Sequence, residues 1–414
     1  MFKRLMILVA ALALMVGVGA VTAAQAANDI HGDMTYRWNG FDNNDQNSDI
    51  DDAQAYAQML TEITFGGSVN SSGSYLITLE NYRVFGDETS DRNQIYQATF
   101  TVDDFLFNDF DLTFGRMPVA YGRERIIGMN SWDLDPAARA VFEGCHIRYG
   151  FDGGWLDHFN FKVAETYDSK YTEAKSGIGD TNLTGFYMHY DANENFWFEP
   201  YAILMTQENY ASPTDLDNDK QFTYGALVDY AREGLHFYGE ATVQTGTSYG
   251  VGTETDTSAL AWYAGLFYDF DSSVEPFIGF EYNFASGEDG ATDEMDAFGS
   301  IAGSSRDYLG IMDIVGWTDV TAMRFAGGFT PTTGLDVTLD YYIFAADQVA
   351  DGIDDAIGTE LDLQLGYALN EDVNLHGGMG LFMYDEPAAT TKSGAYAAPG
   401  DGMMFTWIGA SIGF

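Results

Sequence analysis

Charged residues at strand-like spacing carry whatever chemistry this chain performs. Arg123 and Arg125 stand two apart, and Arg37, Arg148, Lys162 and Arg324 occur within alternating apolar segments. In the second half Asp229, Glu240, Glu275, Glu281, Asp336, Asp340, Glu360 and Asp362 repeat the pattern with carboxylates. Fixed charges set out this way act on a passing solute through their field rather than through bond making. Enzyme signals are poor. Gly246-Thr247-Ser248-Tyr249-Gly250 matches the nucleophile-elbow string, yet it opens a loop instead of joining a strand to a helix. The six His, at 31, 146, 158, 189, 236 and 376, show no zinc-protease spacing. Cys145 is the single cysteine, which excludes an intramolecular disulfide framework and a Cys-rich zinc site. No catalytic residue, resident metal or cofactor is expected. The acidic segments Asp42 to Asp52, Asp215 to Asp219 and Glu288 to Asp296 read as solvated faces, with calcium bridging to anionic surface lipid as the alternative.

The elements that position these charges are β-strands. Phe222, Tyr224, Ala226, Val228 and Tyr230 share one face, opposite Thr223, Gly225 and Asp229. Leu361, Leu363, Leu365, Tyr367 and Leu369 alternate in the same way with Glu360, Asp362 and Gln364. Eighteen such segments are separated by connections that alternate long and short. Long ones include 39–54, 118–140, 208–219, 285–318 and 385–400; short ones include 70–73, 232–234, 271–273, 330–334 and 370–372. That asymmetry predicts an all-β fold, an 18-stranded antiparallel transmembrane barrel with short periplasmic turns and long extracellular loops. Pro200 and Pro276 fall inside predicted strands and call for a bulge or a shifted boundary. Trp38, Trp155, Trp197 and Trp262 sit near strand ends, as interfacial girdles do.

Composition and address agree. Eighteen Lys and Arg against 63 Asp and Glu leave a net charge of −45, which excludes an electrostatic nucleic-acid binder. Aromatics at 15 % exclude a disordered acidic chain. Residues 1–26 read as a signal peptide: Lys3 and Arg4, an apolar run from Leu5 to Ala20, then Ala24-Gln25-Ala26. The mature 27–414 is then a single barrel domain without a spanning helix. Thr406, Ile408, Ala410, Ile412 and terminal Phe414 share one face of the last strand, which resembles the signal read by the barrel-assembly machinery.

Phe114-Gly115-Arg116, Tyr121-Gly122-Arg123-Glu124-Arg125-Ile126-Ile127-Gly128, Trp132, Gly144 to Tyr149 and Gly358-Thr359-Glu360-Leu361-Asp362 resemble the alginate export family of outer-membrane channels. The resemblance implies an 18-stranded monomer whose arginine-lined constriction passes an anionic polysaccharide. Arg116 shares parity with Phe110, Leu112 and Phe114, which puts it on the lipid side. Eight of the 18 cations fall between 116 and 175, whereas the later strands send carboxylates inward. The lumen is therefore expected to set a basic arc against an acidic one, with the 118–140 loop folded in as the constriction. A polyanion conduit needs a positive narrow part, so the acidic late strands favour an outer-membrane porin of a Gram-negative cell, a passive water-filled channel for small hydrophilic solutes. A dedicated exporter of an anionic polysaccharide is the alternative, and a structural or adhesive surface barrel the third reading. Outer-membrane lipid and lipopolysaccharide are the expected surroundings. The general-porin likeness points to a homotrimer where the family likeness points to a monomer.

Overall fold

The computed structural model describes residues 28–43, 53–164, 178–209, 218–250, 253–290, 294–303, 308–349, 354–385 and 402–414. The leader expected at 1–26 lies outside them, as do 44–52, 215–217 and 291–293 of the acidic segments. Eighteen long strands form the wall: β1 (Asn28–Asp42), β2 (Gln54–Asn70), β3 (Gly73–Val84), β4 (Asp87–Val102), β5 (Phe110–Met117), β6 (Phe142–Phe151), β7 (Gly154–Ala164), β8 (Ile178–Asn193), β9 (Phe196–Asn209), β10 (Asn218–Arg232), β11 (Leu235–Gly250), β12 (Thr253–Asp269), β13 (Phe277–Ala285), β15 (Val320–Thr332), β16 (Leu335–Ala345), β17 (Ala356–Ala368), β18 (Val373–Tyr384) and β19 (Met403–Gly413). The remaining strand, two-residue β14 (Glu294–Met295), lies parallel to β12. The wall strands pair antiparallel with their neighbours in order, β13 with β15, and β1 closes the ring on β19 from Asp33↔Gly413 to Asp42↔Met404. Below that register Gly32 and Phe414 exchange backbone hydrogen bonds of 2.8 and 2.9 Å. Closure leaves no strand edge, the condition for backbone polar groups in hydrocarbon.

Alternation then separates two environments. Leu266, Ile278, Phe325, Leu339 and Ile408 point outward and are 47–63 % exposed, as lipid-facing residues must be. At positions of the opposite parity, Glu281, Asp340 and Trp407 point inward and are nearly buried. The rule bends on β7 to β9, where Phe159, Phe161, Leu183, Tyr187, Tyr201 and Ile203 are buried inside the barrel.

The short connections sit at one end, together with both ends of the described wall. Glu233 and Gly234 both have positive φ, 52° and 82°, the type I′ geometry that suits a two-residue hairpin. At the other end the structure differs from expectation in two places. Strands β3 and β4 continue to a two-residue turn, Phe85–Gly86, and only residues 251–252 separate β11 from β12. The gaps expected at 86–93 and 246–257 are therefore shorter than the alternation of long and short connections predicts. Pro200 stays inside β9 opposite Ala226 without a bulge, whereas Pro276 lies outside β13, whose boundary shifts to Phe277. Trp38 and Trp262 face outward, but Trp155 and Trp197 turn inward and pack against His189, so only the first two suit a girdle.

Placing Leu339 mid-strand on the lipid face makes a direct prediction. Leu339→Arg costs about 2–4 kcal/mol in urea unfolding from lipid vesicles. A cost below roughly 1 kcal/mol would place this position away from the hydrocarbon midplane.

Candidate functional site

The long connection 118–141 and the described residues of 286–319 fold into the barrel. The first follows β5, in which Gly115 has a φ of +126° and an added Cβ would collide with Ala98 O, so only glycine fits. It then follows the inner wall. Tyr121 stacks on Tyr187 of β8 (4.2 Å between centroids), and its hydroxyl donates to Asp157 of β7 (3.1 Å). Gly122, at φ +55°, passes so close that a Cβ would lie 2.8 Å from the Tyr187 hydroxyl. Arg123 lies over the Tyr238 ring of β11 at 3.7 Å. Arg125 reaches β13, donating from Nη2 to Glu281 Oε1 at 2.7 Å and from Nη1 to Asn283 Oδ1. Farther on, Trp132 meets β1 and β19: its carbonyl accepts from Arg37 Nη1 (2.8 Å) and its ring packs edge-on against Trp407. Asp135 pairs with Arg92 of β4 at 3.1 Å, and Arg139 pairs with Glu62 of β2 and Glu80 of β3.

The 286–319 connection supplies the remaining arc. Gln244 of β11 donates to Gly299 O (2.7 Å) and accepts from Gly299 N (3.2 Å). Ile311 N donates to Asp362 Oδ2 (3.1 Å) and Met312 N to Glu360 Oε1 (2.9 Å), both on β17. Trp317 packs against Tyr263 of β12. The two loops join at an Ile127↔Ala302 bridge, where Gly128 N donates to Ala302 O (2.8 Å) and Ala302 N to Ile126 O (3.0 Å). Together they line the inside of the wall as a ring.

Two of the ring's arginines, Arg125 and Arg139, are paired with carboxylates where they sit. Burial is the largest influence on the Arg125 charge and works against it, but Glu281, Tyr263 and Tyr308 together outweigh it and hold the guanidinium pKa above its ordinary value. Arg139 shows the same balance between burial and Glu62, Tyr96 and Glu80. Burial and the Asp157 charge push the Tyr121 hydroxyl up, so it stays a donor. On the wall, Arg148 forks onto Asp157 with two 2.7 Å bonds and Arg324 donates to Asp340 at 2.9 Å. Among the described residues Arg123 makes no ion pair. Other carboxylates rest on tyrosine or histidine: Glu240 accepts from Tyr201 (2.6 Å) and Tyr263 (2.8 Å), and Glu199 accepts from Tyr187 (2.5 Å) with His189 at 2.8 Å. Asp229 faces His236 at 2.8 Å.

Arg37, Arg123, Arg125, Arg148 and Arg324 thus lie inside the barrel, with Asp229, Glu240, Glu281, Asp340, Glu360 and Asp362. Asp336 shares their face at the short-turn rim and accepts from Thr330 (2.7 Å). Two expected lumen residues are elsewhere. Lys162 points outward and pairs with Asp180 at 2.6 Å, because Phe159 and Phe161 take the inward phase of β7. Glu275 is exposed in the turn before Pro276, at φ 42°. Arg116 pairs with Glu143 at 2.9 Å on the outer face, as its parity requires. Sequence reasoning overlooked Asp157, although the Asp152–Gly153 turn sets it directly across from Arg148. It also overlooked Glu62, Glu80 and Glu199, and no local signal reveals that loops 118–141 and 286–319 meet.

An even-stranded, closed antiparallel barrel with loops folded inside is the architecture of outer-membrane channel proteins. Solved structures share it: Pseudomonas aeruginosa OccD3 (OpdP) superposes with a TM-score of 0.63 at 10 % identity, over 95 % of this chain and 93 % of that one. Pseudomonas aeruginosa OprD does so with a TM-score of 0.59 at 12 % identity, over 94 % and 95 % of the two chains. The chain belongs to the alginate export family, whose model matches residues 44–384, and it is integral to the outer membrane. No curated protein matches it in sequence.

Breaking the Arg125–Glu281 pair tests the ring. Removing one partner of a buried pair costs about 3–5 kcal/mol. Arg125→Met and Glu281→Gln should each expose the 118–141 loop to added protease by a similar degree, and the double variant by no more than either single. Additive effects would show that the two side chains act independently.

Proposed function

We propose that this protein is a passive, water-filled outer-membrane channel for small hydrophilic solutes, and that its ring prefers cations. The observation that carries this reading is the charge balance inside the barrel. Arg92, Arg125, Arg139, Arg148 and Arg324 each face a carboxylate at 4 Å or less, while Glu199, Glu240 and Asp229 rest on tyrosine or histidine donors. Residual charge on the wall is therefore negative, which lowers the barrier for cations and neutral solutes and raises it for anions. Arg123, stacked on Tyr238 and without an ion pair among the described residues, moderates that field together with Arg37 of β1, whose Nη1 donates to Trp132 O.

Family membership supports the second reading, export of an anionic polysaccharide such as alginate. The paired arginines count against it, since a polyanion would have to displace Glu281, Glu80 or Asp157 to reach them. No feature of the described residues favours catalysis, and an adhesive or structural barrel would not conduct.

Planar-bilayer recordings under a potassium chloride gradient separate the three. The expected reversal potential is cation-directed, and Arg123→Gln moves it further in that direction without lowering conductance. An anion-directed potential together with occlusion by oligouronate would establish the exporter, and no conductance would establish the structural barrel.

A further inference from the structure

On the short-turn side of the ring the lumen widens into a cavity of about 650 Å³. Its existence follows from side-chain size. Ser74, Thr99, Thr101 and Thr113 on β3 to β5 line it where other strands carry Phe or Tyr, and the Met117–Tyr121 segment borders it on the ring side. A β-bulge contributes as well. The register of β3 with β4 slips between Thr78↔Gln97 and Leu79↔Ile95, so Tyr96 and Gln97 both face inward. Tyr96 is covered by the Arg139 guanidinium at 4.0 Å, and Gln97 lines the cavity. Re-aiming one side chain is what a bulge does.

Away from the lip, the wall offers hydrogen bonds and paired charges. Thr101 and Thr113 hydroxyls bond each other at 2.9 Å, which leaves one donor and several lone pairs of the two unspent. The Gln97 amide makes no hydrogen bond to the described residues. Opposite, Arg148 spends Nε and Nη2 on Asp157, and His146 approaches the same carboxylate at 2.9 Å. Asp29 stands exposed at the lip. An anion finds the arginine already engaged, and a cation finds the carboxylate already compensated.

The geometry points to a binding subsite for an uncharged, polyhydroxylated solute, a sugar or polyol of one or two rings, reached from the short-turn side. Such a solute presents the mixed donors and acceptors that hydroxyls and a primary amide match, and the volume falls within the usual range for small-molecule sites, about 300–1,000 Å³. The inference rests on the channel reading for access, but binding is separable from conduction.

The test uses the full-length barrel and sucrose as the probe. Sucrose added on the short-turn side should reduce single-channel current saturably, and Gln97→Ala with Thr113→Val should raise the half-saturating concentration about tenfold, the loss of roughly one or two hydrogen bonds, at unchanged open conductance. A decrease that follows solution viscosity and is identical in the variant overturns the subsite, as does stronger block by a diuronate than by sucrose. Should the barrel not conduct, the channel reading fails by itself. Calorimetric titration of sucrose into the detergent-solubilised protein then decides the subsite: saturable heat weakened in the variant sustains it, and no heat refutes it. Gln97→Ala alone replaces the double variant if the latter lacks the heat-modifiable mobility of a folded barrel.

Discussion

Every other feature depends on the closure of the backbone hydrogen-bond ladder between β1 and β19. In hydrocarbon an unpaired N–H or C=O is too costly to leave, so the sheet has to end where it began. Eighteen strands joined in this way enclose a space wider than their own side chains fill. The chain occupies it with its own loops. That explains how residues as polar as Arg125, Glu281 and Asn283 come to be nearly buried in a membrane protein: they face one another inside the wall, away from lipid.

The ring gives the lumen a defined electrostatic character. Buried ion pairs contribute little net stability compared with apolar packing, but breaking one strands a charge, so they hold a loop in one register. Arg125 and Arg139 do this at opposite sides of the barrel, on β13 and on β2 with β3. Aromatic rings share the task, Tyr121 on Tyr187 and Trp132 on Trp407. Tyrosine hydroxyls satisfy Glu199 and Glu240 without cancelling their charge. The same family motif that suggests a basic constriction therefore builds one whose arginines are mostly spent on the protein itself.

Strand number and closure were legible in the sequence because each leaves a local trace, in alternation and connection length; clustered arginines marked the 118–140 loop as a candidate constriction, but its direction was not readable. Hairpin register was legible too, and would have revealed Asp157 through the turn at Asp152–Gly153. Lys162 was misplaced because an apolar face was equated with lipid, whereas Phe159 and Phe161 pack within the barrel. Glu275 was misplaced because β13 begins only after Pro276, at Phe277, later than the alternation suggests. The 286–319 loop was opaque for a different reason. Its partners Gln244, Glu360 and Asp362 lie on β11 and β17, and nothing local to a loop specifies contacts so distant in sequence.

Modifying a cysteine placed at Arg123 tests the central claim most directly. In a Cys145→Ser background, Arg123→Cys should conduct, and a bulky charged thiol reagent should lower the single-channel current in discrete, irreversible steps. A current unaffected by complete modification would place the 118–141 loop outside the conduction path and contradict the account.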